Sequence, residues 1–104
     1  MVNHELCPKY EKAIKLLGKK WTGLIIYTLL NGPKRFSDIS ESITSVSAKV
    51  LIERFRELEE EGIIVRNVYP EIPVRIEYEL TEKGKSFEPV LEEIKKWAEK
   101  WVEL

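Results

Sequence analysis

The hydrophobic period of the chain switches from helical to alternating at Gly62, and that change constrains the fold more tightly than any other feature. Upstream of it, apolar residues recur every three or four positions. Downstream, Ile63 to Tyr69 and Val74 to Leu80 are rich in β-branched and aromatic residues, and Arg75-Ile76-Glu77-Tyr78-Glu79-Leu80 alternates polar with apolar strictly. A helix turns about 100° per residue and a strand about 180°, so the two halves demand different backbones. The upstream part reads as helices and the downstream part as two strands. Pro70-Glu71-Ile72-Pro73 is short enough to join those strands as an antiparallel hairpin with a stiff tip.

The upstream helices can be placed from their apolar stripes and stop signals. Tyr10, Ala13, Ile14 and Leu17 mark a first helix from Pro8 to Leu17, with proline suited to the first turn. Trp21, Leu24, Ile25, Thr28 and Leu29 mark a second, Trp21 to Leu30, ended by Asn31-Gly32-Pro33. Ser37 is the expected N-cap of a short helix, Asp38 to Ile43. After the hydroxyl-rich turn Thr44-Ser45-Val46-Ser47, a fourth helix from Ala48 to Glu61 buries Leu51, Phe55 and Leu58 until Gly62 ends it. Two helices joined by a short turn form a helix-turn-helix pattern. Beyond the hairpin, Thr81 caps a helical region with an apolar stripe of Phe87, Val90, Leu91, Ile94, Trp97, Ala98 and Trp101, which Gly84 and Pro89 should loosen near its start.

Composition sets the bounds. A chain of 104 residues with 43% apolar content fits one domain that leaves apolar surface near its outside, so a partner subunit is expected. No apolar run approaches the roughly 20 residues that span a bilayer, and MVNHELCPKY lacks the apolar core of a secretion signal, which points to the cytoplasm. The single cysteine, Cys7, cannot form an internal disulfide, in keeping with a reducing compartment. Seventeen Lys and Arg against eighteen Asp and Glu argue against a charge-driven, nonspecific nucleic-acid coat. A sequence-specific binder depends instead on where its cations sit.

With Leu51, Phe55 and Leu58 inward, the fourth helix turns Lys49, Glu53, Arg56 and Glu60 outward. The second helix of a helix-turn-helix enters the major groove with its N-terminal half, bringing Ser45, Ser47, Lys49, Ile52, Glu53 and Arg56 within reach of DNA. Lys49 or Arg56 would address guanine or phosphate, Glu53 would accept from cytosine, and Ile52 would meet a thymine methyl. The competing reading is a solvated face in which Lys49 pairs with Glu53, and Arg56 with Glu60. Arg66 and Arg75 on the hairpin would contact phosphates if it lies along the backbone, or would pair with Glu77 or Glu79 if it merely covers the core.

Several segments, in order, resemble the HxlR-type winged helix-turn-helix regulators: Cys7-Pro8, Gly18-Lys19-Lys20-Trp21-Thr22, Asn31-Gly32-Pro33-Lys34-Arg35-Phe36-Ser37-Asp38-Ile39, Ser47-Ala48-Lys49-Val50-Leu51, Arg54-Phe55-Arg56-Glu57-Leu58-Glu59, and Tyr69-Pro70-Glu71-Ile72-Pro73-Val74-Arg75-Ile76-Glu77-Tyr78. The last is the most specific. The resemblance covers nearly the whole chain. It implies an α+β fold: a three-helix core, a two-stranded β-hairpin wing, and N- and C-terminal helices forming a dimer interface. In a single domain over 1–104, the helix-turn-helix occupies about 37–61, the wing about 63–80, and a dimerisation helix about 82–103. The implied function is a transcription regulator, repressor or activator, that binds a palindromic double-stranded DNA operator as a homodimer and answers a small-molecule, electrophile or redox signal. Leu91, Ile94, Trp97 and Trp101 would form the dimer contact; the alternative is a core contact with the chain's own first helix.

In some members of that family a cysteine at this position senses oxidants, and Cys7 precedes a helix start, where the dipole favours thiolate. With no second cysteine, any disulfide would join two subunits or take up a small thiol. His4 and one cysteine cannot build a four-ligand zinc site, so no metal or cofactor is expected. The chain has no Gly-rich phosphate loop and no nucleophile elbow, and Glu59-Glu60-Glu61 points in different directions around a helix, so an enzyme is not expected. The alternative function is a winged-helix protein-interaction module without specific DNA binding.

Overall fold

A computed structural model describes residues 7–104, so His4 lies outside the described residues. The chain runs α1 (Pro8–Leu17), α2 (Thr22–Leu29), α3 (Phe36–Ser42), α4 (Ala48–Glu60), β1 (Ile64–Tyr69), β2 (Arg75–Leu80), α5 (Glu82–Lys85) and α6 (Glu88–Trp101). β1 and β2 pair antiparallel from Ile64 opposite Leu80 to Tyr69 opposite Arg75. Lys34 adds a one-residue bridge to β2, exchanging backbone hydrogen bonds with Tyr78 at 2.9 and 2.7 Å. This is a winged helix-turn-helix. The bridge was not foreseen, because a single paired residue has no alternation of its own.

The core is built from α2, α3, α4 and the base of the wing. Ile25 and Ile26, Ile39, Leu51 and Leu58, and Ile63 are all fully buried. Gly62 makes the junction between the two hydrophobic periods. Its φ of 71° is left-handed. That conformation lets its own N–H reach the Glu59 carbonyl at 3.0 Å while the Ile63 N–H reaches the Leu58 carbonyl at 2.9 Å, a Schellman closure of α4. The turn delivers Ile63 straight into the core and starts β1. Gly84 meets the same junction: an added Cβ would lie 2.2 Å from the Ile63 carbonyl oxygen, so only glycine fits there.

Several boundaries differ from the sequence reading. α3 begins at Phe36, and Ser37 lies inside it rather than capping it. The Asp38 carboxylate reaches back to accept from the Arg35 N–H at 3.0 Å, satisfying the helix start from within. Trp21 lies outside α2, in a left-handed conformation with φ of 80°. For a bulky residue that geometry costs about 1 kcal/mol or more and must be held by its surroundings. The C-terminal region breaks into α5 and α6. The break falls at Ser86 and Phe87, and Pro89 sits in the first turn of α6, where its missing N–H costs nothing.

α1 contributes no buried residue, although its apolar stripe is well formed. The molecule measures 61 × 34 × 23 Å with a radius of gyration of 15.6 Å. A compact chain of this length would have about 13 Å. Among the described residues, no helix is long and apolar enough to cross a membrane.

Candidate nucleic-acid interface

The outward face of α4 follows from the inward one. Leu51, Phe55 and Leu58 are buried, which leaves Lys49, Ile52, Glu53, Arg56 and Glu60 exposed. Among the described residues, neither Lys49 nor Arg56 takes part in an ion pair; the ion pairs join Lys19 and Arg54 to Glu57, Arg75 to Glu71 and Glu77, and Lys96 to Glu93. The pairs of the solvated-face reading, Lys49 with Glu53 and Arg56 with Glu60, are therefore not formed. Ser45 is exposed in the preceding turn. Ser47 caps α4, its Oγ accepting from the Val50 N–H at 3.2 Å.

Arg66 is exposed on β1. It and Arg56 line one groove of about 300 Å³ between α4 and the wing, together with Ile52 and the aromatic rings of Phe55 and Tyr78. The wing is thus attached so that a strand cation and a helix cation share one opening.

Arg75 is paired within the wing. Its Nε and one Nη donate to the two Glu71 carboxylate oxygens at 3.2 and 3.0 Å, and the other Nη donates to Glu77 at 2.8 Å. The guanidinium also stacks on Tyr69, 4.0 Å from the ring centroid. Glu71 first, then Glu77, hold the Arg75 pKa above its ordinary value. A guanidinium with two carboxylates and a ring around it braces the wing, and its bond to Glu77 is the cross-strand pairing of the covering-hairpin reading. The partner missed in the sequence is Glu71, which the turn folds back beside the strand.

A second brace lies behind α4. Glu57 accepts from Lys19 and, at 3.0 Å, from Arg54. Arg54 Nε also donates to the Lys20 carbonyl at 3.0 Å, the peptide oxygen just before the strained Trp21. The α1–α2 corner is thereby tied to α4. The spacing of Arg54 and Glu57 on one helix face hinted at the pair, whereas no local pattern announces Lys19. Lys19, helped by Arg54, outweighs partial burial and holds the Glu57 carboxyl below the usual carboxylate range.

On the opposite side, the C-terminal stripe divides. Leu91 is only 7% exposed and packs into the chain's own core. Ile94 is 53% exposed, and Trp97 and Trp101 are each 62% exposed, so α1 does not cover them. Tyr10 and Ile14 of α1 are about half exposed as well. Cys7 is exposed at the N-cap of α1, where its carbonyl accepts from the Glu11 N–H at 2.9 Å. Among the described residues, no group of three or more His, Cys, Asp or Glu is placed to hold a metal ion.

The model of the HxlR-like helix-turn-helix family matches residues 16–104. The HTH-type transcriptional regulator YvaP of Bacillus subtilis is 52% identical over 103 residues, spanning 99% of this chain and 95% of its own. YodB, an HTH-type transcriptional regulator of the same organism, is 48% identical over 102 residues, spanning 98% of this chain and 91% of its own. The structure of reduced YodB superposes with a TM-score of 0.85 at 49% identity, covering 95% of this chain and 97% of that one. Quinone-bound YodB gives 0.81 at 46% identity over 92% of this chain and all of the other. The redox regulator HypR in its oxidized form gives 0.87 at 36% identity, over 94% of this chain and all of the other.

The Glu57 brace has a pH signature. Its carboxyl titrates lower in the folded chain than in the unfolded one, so its stabilisation is present at neutral pH and is lost as pH falls through the folded value. Both partners are partly exposed, so solvent screening keeps the effect to about 0–1 kcal/mol. Glu57→Gln should lower stability at neutral pH by that small amount, and the difference from wild type should vanish in acid, once the folded carboxyl is protonated. Urea melts at fixed protein concentration check this; a difference that persists in acid would contradict it.

Proposed function

Because the chain belongs to the HxlR-like helix-turn-helix family, we propose that it is a sequence-specific DNA-binding transcription regulator that grips a two-fold symmetric operator as a homodimer. The observation that carries this reading is the α4 face, where Lys49 and Arg56 stand exposed and unpaired among the described residues, with Arg66 sharing the Arg56 groove. A long cation without a protein partner can neutralise phosphate or bridge guanine without first breaking an ion pair. Near-neutral overall charge fits a binder whose cations are concentrated on one face. On this reading Ser45 and Ser47 stand near phosphates at the helix start, Ile52 and Glu53 meet base edges, and Arg66 holds the neighbouring backbone.

The dimer reading is supported by the bare aromatic stripe of α6 and by the exposed Tyr10 and Ile14 of α1. Ile94, Trp97 and Trp101 form an apolar face of the kind that a second subunit covers. Two copies related by a two-fold axis would then present their α4 helices to successive major grooves, about one helical turn apart. Such a regulator works where the DNA is, and the relatives of this chain point to the cytoplasm.

The signal is read as oxidative or electrophilic at Cys7. Supporting this, YodB has been seen bound to quinone and HypR in an oxidized form. Here Cys7 is exposed at the start of α1, the helix whose far end, Leu17, lines a pocket with Leu91 and Ile94 of α6.

Lys49→Ala and Arg56→Ala should each weaken operator binding by about 1–3 kcal/mol, roughly 5- to 150-fold, while circular dichroism and sedimentation still report a folded dimer. A pure protein-interaction module would leave DNA affinity, already weak and sequence-blind, unchanged in both variants. Complete alkylation of Cys7 should weaken operator binding in the same titration; full affinity after full modification would remove the sensor role.

A further inference from the structure

A cavity of about 410 Å³ lies between the α1–α2 corner, α2 and α6. Its size falls within the range of small-molecule sites, about 300–1,000 Å³. Leu17, Leu24 and Ile94 give it apolar walls, to which Trp21 and Tyr27 add flat aromatic rings. Its charged lining residues are Lys19 and Lys95, and among the described residues no carboxylate lines it. An apolar hollow with aromatic faces, whose lining charge is all positive, matches a flat apolar anion.

Two features of the backbone serve this opening. Gly23 stands in the first turn of α2 without a positive φ, so the helix itself does not require glycine there. Alanine would favour a helix interior by up to about 1 kcal/mol. A Cβ built on Gly23 meets no atom within 4 Å, so the side chain it lacks is room left in the cavity it lines. Trp21 is held in the left-handed region, with its preceding peptide oxygen fixed by Arg54 at 3.0 Å and the Lys20 ammonium 4.9 Å from its ring centroid. Strained residues fixed by their surroundings gather at ligand clamps.

The two lining cations differ. Lys19 is engaged with Glu57. Lys95 belongs to no ion pair among the described residues. Tyr27 first, then Glu92 and Glu99 on its own helix, hold the Lys95 pKa above its ordinary value, so its ammonium is charged at neutral pH.

We propose that this cavity binds a small aromatic carboxylate, with its ring against Trp21 in the space left by Gly23 and its carboxylate between Lys95 and Tyr27. The carboxylate accepts hydrogen bonds from the Lys95 ammonium and the Tyr27 hydroxyl, and the ring displaces water from the apolar walls. Cys7 does not line the cavity, so the ligand is held without a bond to sulfur. Binding requires neither DNA nor oxidation. Ile94 is common to the cavity and to the proposed subunit face, which makes a side chain of the second copy the rival occupant.

The test titrates the full-length protein with α-naphthoate and with its neutral analogue α-naphthamide by calorimetry, comparing wild type, Lys95→Met and Gly23→Leu. Lys95 is exposed and Gly23 faces open space, and circular dichroism with sedimentation checks the fold and assembly of each variant. Wild type should bind naphthoate once per chain. Naphthamide, and naphthoate on Lys95→Met, should each bind about tenfold more weakly, through the lost charge-assisted bond. Gly23→Leu, which fills the cavity, should bind neither. Equal affinity for naphthoate and naphthamide overturns the proposal. So does full binding by Gly23→Leu, the result expected of a ring lying on the bare tryptophans of α6. Absence of binding at about millimolar naphthoate also overturns it, and if Gly23→Leu then loses its dimer, the cavity belongs to the second copy. Should Gly23→Leu fail to fold, the amide and Lys95→Met comparisons still decide.

Discussion

Phe55 is the joint on which the rest of the structure depends. Its ring meets Phe36 edge-on, with centroids 5.3 Å apart, and meets Tyr78 edge-on at 4.6 Å. Three elements, α3, α4 and β2, are thereby locked through one buried side chain, each aromatic contact adding about 0.5–1.5 kcal/mol beyond the area it buries. Tyr78 is also the residue whose backbone pairs with Lys34, so the segment before α3 is sewn to the wing at the same point. The orientation of the recognition helix relative to the wing follows from this joint. The groove shared by Arg56 and Arg66 is its outer surface.

From that joint the molecule divides into two faces of opposite character. One side presents unpaired cations and an apolar, braced wing tip. The other presents the aromatic residues of α6 and an α1 that only Leu16 and Leu17 tie to the core. The corner between α1 and α2 links the two faces. There the strained Trp21 follows a carbonyl held by Arg54, and Lys19 and Arg54 converge on Glu57 at the back of α4.

Most of the fold was legible because its elements carry strong local patterns. The change of period at Gly62, the stripe of Leu51, Phe55 and Leu58, and the alternation in β2 all appear where they were expected. The exposed residues of α4 followed from the same geometry. What stayed hidden depends on contacts distant in sequence or on competition between neighbours. Ser37 has the chemistry of a cap, but Asp38 satisfies the helix start from its third position and moves the boundary. Arg75 has the chemistry of a phosphate ligand, and only the folded turn reveals Glu71 beside it. Leu91 belongs to the same stripe as Trp97, yet its place near the start of α6 lets it reach the core while the tryptophans, further along, project past it. Lys34 and Lys19 find their partners across the fold, and no window of sequence could show either.

The central claim is that two copies of one exposed helix face read DNA symmetrically. Selection of bound fragments from a random duplex pool by the full-length protein tests it most directly. The account predicts a two-fold symmetric consensus whose half-site centres lie about one helical turn apart. Enrichment of a single asymmetric site, or no enrichment over the starting pool, would contradict it.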